Sequence, residues 1–486
     1  MQDLDDYIKH LQARPELKQL LAPLLALIEQ QAQLIQQQAQ RIEALEAEVA
    51  QLRARLDQNS TNSHTPPSAD PYRSTTALPK AKGRRTGGQV GHQGHTLTMT
   101  HAPDHTEQAL PKRCSAFGAA LAPETVVSTE RRQVFDLPAP RLVVTEYRRP
   151  RCRCLDCGTL TQAAFPDHVK APVQYGRRLG ALAALLHSDY HVPLAKVSQL
   201  CEDLFGQRLS EATLAAANAR VAEAVLASES AIKARLVKSD VAHADETGLR
   251  VSGRLQWLHV LSSDKLSHYL VHAKRGRDAL ESAASVLPQV SGYLIHDCWA
   301  SYFGMHQGAH GLCNAHLVRE LRAQTEQGQW WAEALIDVLL TAREMSLAEG
   351  VVPPERYRVL KRRYFALLRQ GLAAHPMPKQ KAKRVGRKKR GKARSLLRRL
   401  IRHHASVWRL ACVASVPFTN NQAERDLRMA KVKQKVSGGF RTESGAAVFA
   451  RIRGYCSTAR KQRKPVYESL CRALEKPGYL LVPYPT

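Results

Sequence analysis

The chain has 486 residues, 44% of them apolar, and a formal net charge of +29. That length asks for roughly three units of about 150 residues each, and the cationic excess points to a polyanionic partner, with nucleic acid ahead of a membrane surface. No apolar run approaches the roughly 20 residues that span a bilayer, and the acidic, polar start MQDLDDYIKH is unlike a signal peptide. A soluble, cytoplasmic protein with no membrane partner is therefore expected.

Residues 1–56 are expected as a helical oligomerisation segment. Leu21, Ile28, Ile35, Ile42, Val49 and Leu56 are spaced by seven, and Leu17, Leu24, Leu45 and Leu52 fill the companion position, interrupted by Gln31 and Gln38. The repeat predicts a coiled coil through which copies of the chain associate. Residues 57–109 contain Lys80, Lys82, Arg84 and Arg85 among glycines and show no apolar period. They read as a basic flexible linker able to lie along a phosphate backbone.

Residues 110–165 are expected as a small β-rich module, with RRQVFDL and RLVVTEYRR as strands leading into RCRCLDCG. Of ten cysteines only Cys152, Cys154 and Cys157 cluster. In a reducing compartment a metal site is a better reading of such a cluster than a disulfide. Residues 166–237 turn helical. LAKVSQLCEDLFG, a turn, and SEATLAAANARVAEAV with Ser210 as N-cap form a helix–turn–helix pattern, a unit used both for docking on DNA and for plain packing.

After residue 238 the apolar period shortens. VAHADETGLRV, LQWLHVLSS and SHYLVHAK predict three strands, RDALESAASVL a helix, GYLIHDC a fourth strand, and GLCNAHLVREL a strand running into a helix. The expected fold class is α/β, with a ribonuclease-H-like core in two parts, residues 238–324 and 411–463. A helical basic insertion, residues 325–410, separates them, and residues 464–486 form a C-terminal tail. The insertion holds the run from Lys379 to Arg402, in which Lys388, Lys389 and Arg390 are candidate phosphate contacts.

Asp245 and Asp297 each end an apolar strand. A carboxylate there is costly unless it is exposed at the rim, capped or bound to a cation. Two on neighbouring strands would hold divalent ions between them, and Mg²⁺ accepts a few carboxylate oxygens while leaving room for phosphate. Glu424 is the candidate third carboxylate. It shares a helix face with Lys431, and Arg425, Arg428, Lys433 and Lys435 would extend a cationic surface toward DNA.

LDQNSTNS with a following PPS, GGQVGHQGHTL, HADETGLRV, LIHDCWASY, LCNAHLVREL, NNQAERDLRMAKVKQKVSGGFRT and STARKQ resemble, in order and nearly end to end, the blocks of the IS sixty-six family of bacterial insertion-sequence transposases. The resemblance implies a DDE catalytic triad at Asp245, Asp297 and Glu424 using two Mg²⁺ or Mn²⁺ ions. It implies hydrolytic cleavage at the element's ends and attack of the freed 3′-hydroxyl on target DNA, with small accessory proteins of the same element as possible partners. His316, Arg319 and Glu320 match a block expected beside the active site. The family's paired CxxC zinc module is incomplete here. Cys154 and Cys157 form one pair, but the first reads Cys114-Ser-Ala-Phe117. Two readings stand: Cys152 replaces the missing ligand in a four-thiolate zinc site, or the module is degenerate and held by its strands. For the whole chain the alternatives are a transposase-derived DNA-binding protein without catalysis and a non-enzymatic coiled-coil regulator.

Overall fold

The computed structural model describes residues 15–56, 58, 62, 97–377 and 391–485. Most of the 57–109 segment, and Lys388, Lys389 and Arg390, lie outside the described residues. Helix α1 runs from Pro15 to Leu56. Its heptad side chains Ile28, Ile35, Ile42, Val49 and Leu56 are all exposed within the single chain.

Residues 110–165 depart from expectation. RRQVFDL and RLVVTEYRR are irregular, and the only strands here are the short antiparallel pair β1 (Arg151–Arg153) and β2 (Leu160–Gln162). The physical reason is lack of cover. Val134, Leu137, Val143 and Val144 are 83–91% exposed; alternating residues favour a strand only where one face packs on another layer.

Four helices follow: α2 (Arg177–Ala184), α3 (Leu194–Phe205), α4 (Glu211–Ala224) and α5 (Leu226–Val237). Gly206, at φ 66°, ends α3, and the Ser210 side chain accepts from the Thr213 N–H at 3.1 Å to start α4. Two helices joined by a short turn are present, and α4 buries Leu214, Ala217, Val221 and Ala222 and exposes Glu211, Arg220 and Glu223.

The centre is a five-stranded sheet of β3 (Val241–Val251), β4 (Arg254–Ser262), β5 (Ser267–His272), β6 (Tyr293–His296) and β7 (His310–Leu312), in the order β5-β4-β3-β6-β7. The first three strands are antiparallel; β6 and β7 run parallel to β3. The expected helix between β5 and β6 is reduced to one turn, Arg277–Leu280, and a 3₁₀ turn, Leu287–Gln289. Helix α6 (Ala300–Met305) follows β6, and α7 (Asn314–Thr325) follows β7.

The chain then forms α8 (Trp330–Glu349), α9 (Pro354–Ala374) and α10 (Lys392–Arg402), and returns through α11 (Asn421–Ser437), α12 (Glu443–Lys461) and α13 (Val466–Glu475). Several cores result. Alternation along β3 sends Ala242 and Ala244 to one face, against Ile232 and Leu236 of α5 and Tyr302 of α6, and Leu249 and Val251 to the other, against Ala423 and Leu427 of α11 and Ala446 of α12. The inserted helices bury Trp331, Tyr364, Leu397 and Trp408 against Leu317 and Leu321 of α7. A fourth core joins α2 and α4 to Tyr455, Leu470 and Leu481, so residues 464–486, expected as a tail, contain a packed helix. Asp189, whose side chain is fully buried, pairs with Arg453 and Arg460 and ties the same regions together.

Candidate active site

Parallel pairing of β3 with β6 matches Val241 to Tyr293, Ala242 to Leu294 and His243 to Ile295. Continued by two residues, the same offset sets Asp245 level with Asp297. By alternation Asp245 lies on the face of β3 that carries His243, Leu249 and Val251, which is the face covered by α11. Helix α11 presents Glu424 in its first turn. The three acids therefore converge beside the middle of β3, just beyond the last paired residues of β6; Asp245, expected at a strand end, is an interior residue of β3, because the antiparallel partner β4 keeps pairing with β3 as far as Val251.

The convergence bears on the charge of Asp245. Burial raises its pKa well above the ordinary carboxylate value; the neighbouring charges of Glu246, Asp297 and Glu424 add to the rise, and the Glu246 N–H, donating to Oδ1 at 2.9 Å, opposes it. At the strand spacing of about 4.8 Å, two like charges repel by about 3–4 kcal/mol in a medium of effective dielectric near 20. Glu246 points to the opposite face, where the Tyr302 hydroxyl and the Arg275 guanidinium donate to it. It is thus a partnered buried acid outside the convergent set.

Helix α11 is held to β3 at both ends. Buried Asn420, just ahead of the helix, donates from Nδ2 to the Ala244 carbonyl at 2.8 Å and meets His243 Nδ1 at 2.9 Å through Oδ1. Past the other end, the Phe440 N–H donates to the Arg250 carbonyl at 2.8 Å, and the Ser252 N–H donates to that of Phe440. This approach requires glycine at 439, where a Cβ would stand 2.6 Å from the Arg250 oxygen. Glu424 is consequently carried on a rigid strut fixed one residue from Asp245.

On α11 the residues 424, 428, 431 and 435 recur at helical spacing. Glu424 and Lys431 are half-buried, and Arg428 and Lys435 are exposed. Arg425 is exposed and donates to Gln422 at 3.0 Å. Lys433 corrects the expectation of a continuous cationic face. It falls in the buried stripe of Ala423, Leu427 and Ala430, bonds Ser437 at 3.4 Å, and burial lowers its pKa.

The start of α7 packs against the start of α11. His316 Nδ1 lies 3.5 Å, and Arg319 3.9 Å, from the Glu424 carboxylate. Cys313 Sγ accepts from the Asn420 N–H at 3.2 Å and lies 3.1 Å from His316 Nδ1. Glu320 turns the other way and pairs with Arg399 of α10, joining α7 to the inserted helices. Cys313, His243 and Asn420 were not singled out in the sequence. The available signals were the Cys-x-x-His spacing ahead of α7 and an Asn at the helix start.

Among the described residues, three metal-ligating atoms within 4.8 Å of one another occur at Cys313, His316 and Glu424, and not among Cys114, Cys152, Cys154 and Cys157. The cysteine module instead repeats one turn. The N–H of Cys114 donates to the Ala119 carbonyl and that of Gly118 to the Cys114 carbonyl; Cys154, Thr159 and Gly158 do the same. Phe117 stands where Cys157 stands in the second turn and is 90% exposed.

A family model described as Transposase IS66 family matches residues 172–448, more than half of the chain and the range that holds all three acids. The chain belongs to the IS66 transposase family. It is accordingly a transposase, and DNA binding comes with that membership. A second model, a family of unknown function (DUF6444), matches residues 12–98. No curated protein matches the chain. No helix among the described residues is long and apolar enough to cross a membrane.

Proposed function

We propose that this transposase is a DDE enzyme in which Asp245, Asp297 and Glu424 serve cleavage at the ends of a DNA element and joining of the freed 3′-hydroxyl to target DNA. The observation that carries the reading is the parallel register that levels Asp245 with Asp297 on the face α11 covers with Glu424. The strand order, three antiparallel strands followed by two parallel ones, supports a ribonuclease-H-like core.

The donor set fits a hard divalent ion. Three carboxylates with few compensating cations converge where the Asp245 pKa is already raised by burial and neighbouring charge. Mg²⁺ or Mn²⁺ held there would activate the attacking oxygen and stabilise the leaving one. The protein's own groups position the reactants. In cleavage, water attacks phosphorus and the strand leaves with a 3′-hydroxyl. In joining, that hydroxyl attacks a target phosphodiester and displaces the target's 3′ oxygen; both are in-line displacements that depend on positioning and charge. His316 and Arg319 orient the Glu424 carboxylate from α7. Arg425, Arg428, Lys431 and Lys435 meet phosphates on the exposed side of α11. The exposed heptads of α1 join copies of the chain, because isolated apolar seams of this kind bury themselves in a partner helix.

End cleavage in Mg²⁺ or Mn²⁺ tests the proposal, using the DNA that flanks the gene. Asp245→Asn and Glu424→Gln are expected to lower cleavage by at least about 10²–10³-fold, as for loss of a group acting on transition-state charge, while retaining DNA binding. Cleavage that survives both substitutions removes these residues from the chemistry.

A further inference from the structure

Cys313, His316 and Glu424 stand together at the junction of two helix starts, and oxygen-seeking Mg²⁺ has no use for a thiol. Their ligand atoms are separated by 3.1 Å (Cys313 Sγ to His316 Nδ1), 3.5 Å (His316 Nδ1 to Glu424 Oε1) and 3.9 Å (Cys313 Sγ to Glu424 Oε1). Tetrahedral zinc, with Zn–S about 2.3 Å and Zn–N or Zn–O about 2.0–2.2 Å, sets its ligand atoms about 3.3–3.6 Å apart. The three edges already bracket that range, so the side chains need move only by tenths of an ångström.

We propose that Cys313, His316 and Glu424 form a second cation site, selective for a thiophilic divalent ion such as zinc, whose occupancy draws Glu424 away from Asp245 and Asp297. The inhibitory half rests on the DDE reading; the binding half does not.

Three observations support it beyond the distances. The ligands come from prebuilt elements: Cys313 immediately precedes α7, His316 lies in its first turn, and Glu424 lies in the first turn of α11. The two helix starts are fastened to each other by the Asn314 N–H on the Phe418 carbonyl at 2.9 Å and the Asn420 N–H on Cys313 Sγ. Burial pushes the Cys313 thiol up to about 12 and the Asn420 N–H on Sγ opposes that rise, so an incoming thiophilic cation would be what deprotonates it. Thiolate, imidazole and carboxylate leave a fourth tetrahedral position for water, and the two anionic ligands balance a divalent charge. Binding sends the Cys313 thiol proton to solvent. Arg319, 3.9 Å from the carboxylate, is the cation that the incoming ion displaces from Glu424.

The test uses the full chain without DNA. Cobalt(II) is added to the wild type, to Cys313→Ser, to His316→Gln and to the Cys154→Ser/Cys157→Ser pair, and the near-ultraviolet thiolate charge-transfer band is recorded. Zinc affinity is measured by competition with a chromophoric chelator. The band should persist in the Cys154/Cys157 variant and vanish in Cys313→Ser. Zinc affinity at this site should fall in both Cys313→Ser and His316→Gln by more than the about 10–100-fold that loss of a mere outer partner costs. Unchanged zinc stoichiometry and affinity in two variants that unfold like the wild type overturn the proposal, leaving a hydrogen-bonded cluster only. In the cleavage assay at fixed Mg²⁺, micromolar zinc should inhibit the wild type and lose that effect in Cys313→Ser; equal inhibition of both overturns the regulatory half. If no protein cleaves DNA, the DDE reading fails while the cobalt band still decides the site.

Discussion

Residues 141–149 and residues 241–251 carry comparable apolar alternation and meet different fates. RLVVTEYRR stays irregular with Val143 83% and Val144 90% exposed, whereas VAHADETGLRV becomes the central strand of a five-stranded sheet. The difference lies outside both segments. Strand β3 has α5 and α6 on one face and α11 and α12 on the other, while residues 141–149 have no second layer among the described residues. Strand propensity is the ability to fit a half-buried pleated surface, and it is expressed only where that surface exists.

Acid should separate the two regions most strongly. Burial lowers the pKa of His187, His191, His259 and His310 to about 4, and all four belong to the packed part. Because the folded state binds fewer protons than the unfolded chain between pH 6.5 and about 4, stability is retained above that window and lost as pH falls through it. The combined loss is on the order of several kcal/mol, read as a falling denaturation midpoint from pH 7 to pH 4.5. A midpoint that does not move would mean these imidazoles are not buried in solution.

Core truncation comes next. Leu258 is fully buried between β3 and β5, so Leu258→Ala should cost about 2–5 kcal/mol, whereas Val144→Ala should stay within about 0.5 kcal/mol. Equal costs in chemical denaturation would show that residues 141–149 are covered after all. The smallest effect is expected at the acids. The Asp245 pKa is raised in the folded protein, so its ionised form costs stability at neutral pH, and that cost disappears as pH falls through the raised value. Without added metal, Asp245→Asn should therefore raise Tm, by about 2–4 °C per kcal/mol relieved. Added Mg²⁺ should stabilise the wild type more than the variant. A lower Tm in Asp245→Asn would assign the carboxylate a structural role.

Much of the candidate site was legible because it rests on local patterns. The short apolar run that ends in Asp297 announces a strand tip, whereas Asp245, read the same way, lies in the middle of β3; the Glu424 segment shows a helical period, and the ordered blocks carried the family resemblance that the match over residues 172–448 supports. The buried face of α11 was less legible. Lys433 reads as one more surface cation, yet it falls on the buried stripe, because a helix assigns each residue by its angle about the axis and only the packed neighbour says which angle is inside.

Chain chemistry by itself determined the cationic character and the existence and kind of the long helices and of the β3–β5 meander, and it offered the three acids as candidates. Tertiary structure decided the rest. The parallel register of β3 and β6 joins residues 52 positions apart, the Asn420 and Phe440 contacts fasten α11 to β3, and Cys313 and His316 reach Glu424 across more than a hundred residues. Such contacts depend on which surfaces meet. Local periodicity specifies a surface and leaves its partner to the packing of the whole chain.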